Sequence, residues 1–243
     1  MNVDRFRALA ATAGERAYRA MRRSITATRI VLIVLAGMLA LPIAQLASPV
    51  EAIGRPRSVT RTMRNPATIN LPAFNVSPAE ALLYPSPIVV SGMRGRIRDV
   101  NVRLVGIQHR FPRDLEVLLV GPGGATAVVM ANAGQGFAIN EVALTLDDEA
   151  HAPLPADAKL QTGTFRPTNT TGSTISFKPP APGAVPNAAL SVFDDRSPNG
   201  TWRLFVQDED GPLNAGKIVG GWELEITTKM KGKKWRQEVQ GEP

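Results

Sequence analysis

The sequence predicts an all-β fold, an antiparallel β-sandwich. Short runs of alternating apolar and polar residues are separated by Gly- and Pro-rich turns, and no segment after residue 52 shows a sustained helical period. Side chains of a strand point alternately to the two faces of a sheet, so this alternation indicates strands with one buried face. Several such strands without intervening helices are typical of an antiparallel sandwich.

The two strands nearest the C-terminus are the clearest, because each starts with a Trp and alternates regularly. Their expected buried residues are Trp202, Leu204 and Val206 in one strand and Trp222, Leu224 and Ile226 in the other. Earlier strands are predicted at 88–90, 100–104, 115–120, 125–130 and 141–146. Gly106 breaks the alternation, as a bulge or bend would. The turn 121–124 (GPGG) predicts a hairpin, and the Pro-rich stretch 151–189 predicts a long loop.

The N-terminal 52 residues predict an export signal. Residues 30–41 (IVLIVLAGMLAL) are apolar or small, Arg22, Arg23 and Arg29 precede them, and Val50 and Ala52 supply the small residues of a cleavage site. A basic region, an apolar stretch and a small-x-small end define a secretory signal. The alternative is an uncleaved membrane anchor through residues 30–47, interrupted by a Pro and a Gln. Both interpretations predict an exported protein, extracellular or at the cell surface.

Charge and composition divide the rest of the chain into three parts. Residues 53–91 are rich in Pro and Arg and predict a linker, residues 92–228 form the expected folded domain, and the basic end 229–243 predicts a disordered tail. The net charge of the whole chain is +7, but only +3 (21 basic and 18 acidic residues) remains after residue 52. This near-neutral body argues against a nucleic-acid-binding protein, which needs a basic face on the fold.

The residue types needed for catalysis are scarce. The chain has no Cys, which excludes disulfides, thiolate zinc sites and a cysteine nucleophile. Its two imidazoles, His109 and His151, are not part of a nucleophile or base motif. The sequence therefore predicts a protein that is not an enzyme.

Four blocks of sequence resemble the P domain, also called Homo B, of subtilisin-like proprotein convertases. They are IRDVNV (97–102) with HRFPRDL (109–115); LEVLLVGPGG (115–124); LDDEA (146–150) with GTFRP (163–167); and LSVF (190–193) with PNGTWRL (198–204) and GWEL (221–224). The resemblance covers residues 92–228 and implies a jelly-roll β-sandwich that stabilises or regulates a protease, often with calcium nearby. His109 matches a strand-end His that is common in this family, so the resemblance also implies a packed or capping role for it. The triad blocks of the subtilisin-like protease domain are absent from this chain, so the resemblance does not imply protease activity.

Acidic residues at the predicted strand ends define one candidate metal site. Calcium binds six to eight oxygen ligands, many of them from carboxylates. The candidate calcium ligands are Asp114, Asp147, Asp148, Asp208 and Asp210. The alternative is ordinary turn chemistry, because Asp side chains also bond to the backbone in turns.

Together these features predict an exported, non-catalytic P-domain-like module that binds, stabilises or regulates a partner. The expected partner is another protein, such as a protease, or a cell-surface polymer. One alternative is a carbohydrate- or surface-binding module that uses the loop aromatics Phe111, Phe137 and Phe165. The other is a hydrolase of an unrecognised type.

Overall fold

The computed structural model describes residues 57–73, 76–185, 189–210 and 215–230. The chain divides into two units between residues 51 and 52, and every described residue belongs to the second unit. The predicted signal 1–52 and the tail beyond Met230 lie outside the described residues. In the described ranges, no helix is long and apolar enough to cross a membrane.

The predicted mostly-β fold is confirmed. The first sheet contains β1 (Ser58–Asn65), β2 (Ile69–Leu71), β5 (Arg96–His109), β8 (Ile139–Leu146), β9 (Gly163–Phe165), β14 (Gly216–Ile218) and β15 (Trp222–Lys229). The second contains β3 (Ala79–Glu80), β4 (Ser86–Val90), β6 (Leu115–Val120), β7 (Thr126–Ala131), β10 (Thr168–Asn169) and β13 (Gly200–Asp208). A small hairpin pairs β11 (Ile175–Ser176) with β12 (Ala184–Val185), and two short 3₁₀ turns occupy Pro112–Asp114 and Leu190–Phe193.

The first sheet is built around β5, its longest strand. The main path of the sheet runs β1-β15-β5-β14-β2, and β8 pairs with the other edge of β5. Gly106 has a φ of 74°, and the β5–β8 register shifts between Leu104 and Ile107. This irregularity confirms the predicted bend, which Gly tolerates because it has no Cβ.

The second sheet runs β10-β7-β6-β13-β3, with β4 also paired to β13. The predicted hairpin is β6 and β7, joined at the turn by the bond from Gly124 N to Gly121 O at 3.0 Å. The prediction of a purely antiparallel fold is wrong in two places, since β8–β9 and β7–β10 are parallel pairs. Both β9 and β10 come from the Pro-rich stretch 151–189, whose length allows the crossover that parallel pairing requires.

One hydrophobic core joins the two sheets. It contains the predicted buried faces of β13 and β15 together with side chains from β5, β6, β7 and β8. Trp202 and Trp222 are fully buried, as predicted. Their indole N–H groups donate to Pro198 O at 2.9 Å and Ser86 Oγ at 3.0 Å. A buried Trp is stable only when this polar group has a partner.

The prediction of a linker over 53–91 is wrong for the described residues from 57 onward. β1 pairs along its full length with β15, and Ile69, Leu71 and Ile88 are buried in the core. The fold therefore begins at Ser58, whereas the sequence predicts a start near Gly92. The prolines do not prevent this arrangement, because the strands of this stretch are short or lie at sheet edges, where a missing N–H is tolerated.

A second, smaller core lies on the outer face of the second sheet. Residues 175–185, which we call the strap, cover this face with Ile175, Phe177, Ala181 and Val185. The side chains beneath are Leu118, Val120, Val128, Ala131 and Phe205, with Tyr84 at the margin. Every side chain of β6 is buried as a result. Part of the predicted long loop therefore covers the second sheet.

A glycine substitution tests whether residues 57–71 belong to the fold. Gly221 has a φ of 65°, and a Cβ there would lie 2.0 Å from Asn65 O. We expect Gly221→Ala to reduce the free energy of unfolding by at least about 3 kcal/mol, from backbone strain plus overpacking. Gly124→Ala is the control, because its φ is 80° but no atom lies within 4 Å of a Cβ, so strain alone costs about 1 kcal/mol. If urea unfolding shows that the two variants lose equal amounts of unfolding free energy, the placement of β1 is contradicted.

Candidate functional site

The candidate site lies at the end of the two sheets where β5 stops at His109. His109 belongs to the first sheet and Asp208 is the last residue of β13 in the second. The His109 Nε2 atom lies 3.0 Å from Asp208 Oδ2, and both side chains are almost fully buried. The other ring nitrogen, Nδ1, accepts the backbone N–H of Phe111 at 3.2 Å. This geometry confirms the packed role predicted for His109.

Gly216 makes room for the His109 ring. Gly216 lies opposite His109 in the β5–β14 register, and a Cβ at this position would lie 2.1 Å from the ring Cδ2 atom. The imidazole therefore occupies the space that a side chain on β14 would need. The close approach of β14 holds the ring in its orientation toward Asp208.

Three of the predicted metal-site residues lie close to this buried pair. Asp208 faces Leu115 in the β6–β13 register, which brings it beside Asp114. Burial raises the pKa of Asp114; Arg113 opposes this shift, and the carboxylates of Asp208 and Asp210 add to it. Asp208 Oδ1 accepts the backbone N–H of Asp210 at 2.9 Å. Both oxygens of Asp208 are thus engaged in structural bonds.

The other two predicted residues follow β8 and lie beside the middle of β5, because Leu146 pairs with Val102. Both oxygens of Asp148 accept backbone N–H groups, from Leu190 at 3.0 Å and Ser191 at 2.8 Å. Asp147 Oδ1 accepts the N–H of Glu149 at 2.8 Å. The 3₁₀ turn capped by Asp148 leads to Asp195, whose N–H donates to Ile97 O near the start of β5. Val102 and His109 are seven residues apart on β5, which at about 3.3 Å per residue places the two groups roughly 23 Å apart.

The five predicted calcium ligands therefore do not form one site. They fall into two groups, one at the His109 end of β5 and one beside its middle, and the oxygens of Asp208 and Asp148 are bonded within the protein. Among the described residues, no three or more His, Asp or Glu side chains are arranged to hold a metal ion. The five residues therefore do not share one site, and the backbone N–H bonds that Asp147, Asp148 and Asp208 accept are those of the turn chemistry that was the alternative.

A polar cleft of about 260 Å³ opens beside Asp114. Gln135 Nε2 donates to Asp157 Oδ1 at 2.7 Å, and Asn132 Nδ2 donates to Asn169 Oδ1 at 3.0 Å. Asn132 and Gln135 have φ values of 57° and 50°, in the left-handed region that Asn tolerates better than most residues. Since its polar groups bond to one another, this cleft is primarily a network that holds the loops together.

A larger cleft of about 530 Å³ lies on the other side of His109. Leu71, Pro72 and Leu82 form its apolar part, and Arg110 and Lys217 are cations on its wall. Leu82 is 67% exposed, although its backbone N–H donates to Asn70 O at 2.9 Å. We call this the apolar cleft. It combines an exposed apolar side chain with two exposed cations, and no ion pair among the described residues involves either cation.

A buried carboxyl group lies under the strap near the same end. Glu116 is 5% exposed, and its Oε2 atom accepts Gln207 Nε2 at 2.6 Å. Gln207 Nε2 also donates to Ser176 O on the strap at 2.9 Å. Burial raises the pKa of Glu116 to about 7; the bond from Gln207 opposes the shift, while the charges of Glu209 and Asp208 add to it.

Sequence reasoning missed the residues of the apolar cleft. Leu82 lies in the stretch predicted as a linker, and Arg110 and Lys217 are more than 100 residues apart in the chain. They meet because β14 pairs with both β5 and β2. No periodic signal marks a single exposed Leu, so only the strand pairing reveals the cleft.

Comparisons with known proteins give limited information. No protein-family model matches the chain, and no curated protein sequence matches it. The solved serine protease of Aeromonas sobria is similar over 71% of this chain, with 13% identity and a TM-score of 0.31. The complex of the Aeromonas sobria serine protease with its chaperone is similar over 72% of this chain, with 13% identity and a TM-score of 0.32. This chain spans 26% of each. TM-scores of this size establish neither a shared fold nor a shared function.

The His109–Asp208 pair can be tested by truncation. Asp208→Ala leaves a buried imidazole without its carboxylate, and we expect the free energy of unfolding to fall by about 3–5 kcal/mol. Glu223→Ala is the control, because it removes the Arg103–Glu223 pair at 3.3 Å on the surface, where such pairs contribute less than about 1 kcal/mol. Urea unfolding of both variants gives the comparison. A loss below about 1 kcal/mol for Asp208→Ala would show that the pair does not hold the sheets together.

The pKa of Glu116 predicts a specific pH dependence of stability. In the unfolded chain the Glu116 carboxyl ionises near pH 4.5, whereas in the folded chain it keeps its proton up to a pH of about 7. Between these values the folded state binds more protons, so its stability decreases as the pH rises. We expect Glu116→Gln to raise the melting temperature over wild type more at pH 8 than at pH 5. The exposed Glu141→Gln serves as control, and an identical pH profile for wild type and Glu116→Gln would contradict the assignment.

Proposed function

We propose that this protein is an exported, non-catalytic binding module with a P-domain-like jelly-roll fold, and that it binds a partner protein through the apolar cleft. The observation that carries the proposal is the cleft itself. It places the exposed Leu82 beside Arg110 and Lys217 in a volume of about 530 Å³. Binding surfaces commonly combine an apolar centre with a charged rim.

The shape of the apolar cleft favours a polypeptide partner. The cleft is bounded by β2, which pairs only with β14 among the described strands and so lies at the edge of the first sheet. An extended segment could place an apolar side chain against Leu71 and Leu82 and a carboxylate near Lys217. A carbohydrate module would instead present aromatic faces, and none of the described residues that line this cleft is aromatic.

The surroundings of His109 support a non-catalytic role. A general base needs a ring nitrogen that can accept a proton from a nucleophile. Both nitrogens of His109 are engaged, by Asp208 and by the N–H of Phe111, and its side chain is buried. Among the described residues, no Ser or Thr hydroxyl bonds to either imidazole.

The sequence blocks support the finer assignment to a P-domain-like jelly roll. The block HRFPRDL forms the end of β5 and the 3₁₀ turn that precede β6, and PNGTWRL begins β13. These blocks build the His109 end and the core, respectively. On this basis the partner we propose is a protease of the subtilisin class, and the N-terminal 52 residues would direct export.

A paired substitution tests the cleft. Leu82 and Val89 are apolar residues that are 67% and 70% exposed, but of the two only Leu82 lines the apolar cleft. We expect a subtilisin-like protease to co-purify with the tagged protein from the secreted and membrane fractions, identified by mass spectrometry. Leu82→Asp should reduce its recovery at least about tenfold, equivalent to about 1.4 kcal/mol of binding free energy, whereas Val89→Asp should leave it unchanged.

Three outcomes would contradict the proposal. Equal recovery of the protease with both variants would exclude the apolar cleft as the binding site. Absence of any protease from both fractions would exclude the proposed partner. Cleavage of casein by the purified protein would show that the protein is itself an enzyme.

A further inference from the structure

Both ends of the described fold lie at one corner of the first sheet. The backbone N–H of Met230 donates to Arg57 O at 3.1 Å, and Ser58 faces Lys229 in the β1–β15 register. The N-terminal segment therefore reaches the fold at the same place where the C-terminal segment leaves it. This corner is at the opposite end of β5 from His109, because Lys229 also pairs with Arg96.

Four exposed cations surround this corner: Arg57, Arg94, Arg96 and Lys229. We call them the basic corner. Thr228 and Ile97 face each other and are buried, so Lys229 and Arg96 project from the outer face. A Cβ at Gly95 would lie 2.6 Å from Lys229 O, so this segment lies directly against the end of β15. Within the described part of the chain, no ion pair involves any of the four.

The carboxylates of Asp194 and Asp195 lie on the other side of β5. The N–H of Asp195 donates to Ile97 O, and Ile97 N donates to Arg196 O, so the segment 194–196 occupies the β5 edge away from β15. Arg98 lies near Asp194 and lowers its pKa, against the larger effects of burial, Asp195 and Asp148 that raise it. The basic corner is therefore separated laterally from these two carboxylates, and the acidic residues on its own strands, Asp99 and Glu225, lie three and four residues further along from Arg96 and Lys229.

The sequence adjoining the corner adds to its charge. Residues 229–236 contain Lys229, Lys231, Lys233, Lys234 and Arg236 and no acidic residue. On the N-terminal side, the apolar stretch 30–47 ends ten residues before Arg57, a distance of at most about 35 Å when extended. A membrane that holds the apolar stretch would thus be within reach of the basic corner.

We propose that the basic corner docks on an anionic lipid bilayer, with the His109 end and its apolar cleft directed away from the membrane. Clusters of Lys and Arg beside an apolar segment bind anionic headgroups by charge attraction. The chain favours a bilayer over a nucleic acid because the rest of the fold is near neutral, while its own apolar stretch ends only ten residues before Arg57 in the sequence. This orientation leaves Leu82, Arg110 and Lys217 accessible to a partner.

Single-cysteine labelling of the full chain tests the proposal, since the natural sequence has no Cys. An environment-sensitive fluorophore is attached at Ser58→Cys, beside the corner, or at Leu82→Cys, at the His109 end. The protein is added to phosphatidylcholine vesicles with or without about one third phosphatidylglycerol. We expect a blue shift only for the Ser58 probe and only with phosphatidylglycerol, and its reversal in about 0.5 M salt, where charges are strongly screened.

A charge variant supplies the second arm. Arg94→Gln, Arg96→Gln and Lys229→Gln together should weaken vesicle binding of the Ser58-labelled protein at least about tenfold. The matched control neutralises three exposed cations outside the corner, Arg64, Lys159 and Arg203, and should bind as the parent does. Urea unfolding of both triple variants verifies that they fold.

Several results would overturn the docking proposal. The first is an equal blue shift of the Ser58 probe on neutral and anionic vesicles, and the second is a blue shift of the Leu82 probe. The third is unchanged vesicle binding by the variant with Arg94, Arg96 and Lys229 replaced. A shift of the Ser58 probe with duplex DNA at the same salt, without one on vesicles, would assign the corner to nucleic acid instead. None of these readouts depends on the protease partner, so the two proposals fail independently.

Discussion

The bond between His109 and Asp208 connects the two sheets at the end that carries both clefts. His109 ends the longest strand of the first sheet and Asp208 ends β13 of the second, and both are buried. The pair requires Gly216 beside the ring, which brings β14 against β5 and forms the wall of the apolar cleft. On the other side, Asp208 lies beside Asp114 and fixes the turn at Asp210. The shape of the candidate site thus depends on one buried polar contact.

Burial on both faces distinguishes the second sheet from the first. The strap places a second core over β6, β7 and β13, whereas the outer face of the first sheet carries the polar pairs Arg103–Glu223 and Thr60–Thr227. Covering the outer face also encloses Glu116 and Gln207, whose polar atoms then need partners within the protein. Ser176 O on the strap supplies one of them. The strap is therefore held by apolar contacts and by a small polar network together.

The sequence predicted the parts of the fold whose alternation is regular. The burial of Trp202, Leu204, Trp222 and Leu224 follows directly from a period of two. β1 and β2 were missed because they lie in a Pro-rich stretch and owe their position to β15 and β14, more than 140 residues away. The acidic residues were recognised as turn or metal candidates, but their separation depends on strand register. Periodicity carries no information about which strands pair.

The pairing of β1 with β15 has a consequence for how the chain folds. The Thr60–Thr227 bond joins residues 167 positions apart, and β1 has no other strand partner among the described residues. During synthesis, β1 cannot pair with β15 until almost the whole chain has emerged. Sheets dominated by such distant pairings fold in about milliseconds to seconds, much more slowly than helical bundles. Completion of the first sheet is therefore a late event, and until then the edge of β1 and the apolar side chains beneath it stay exposed and prone to association with other chains.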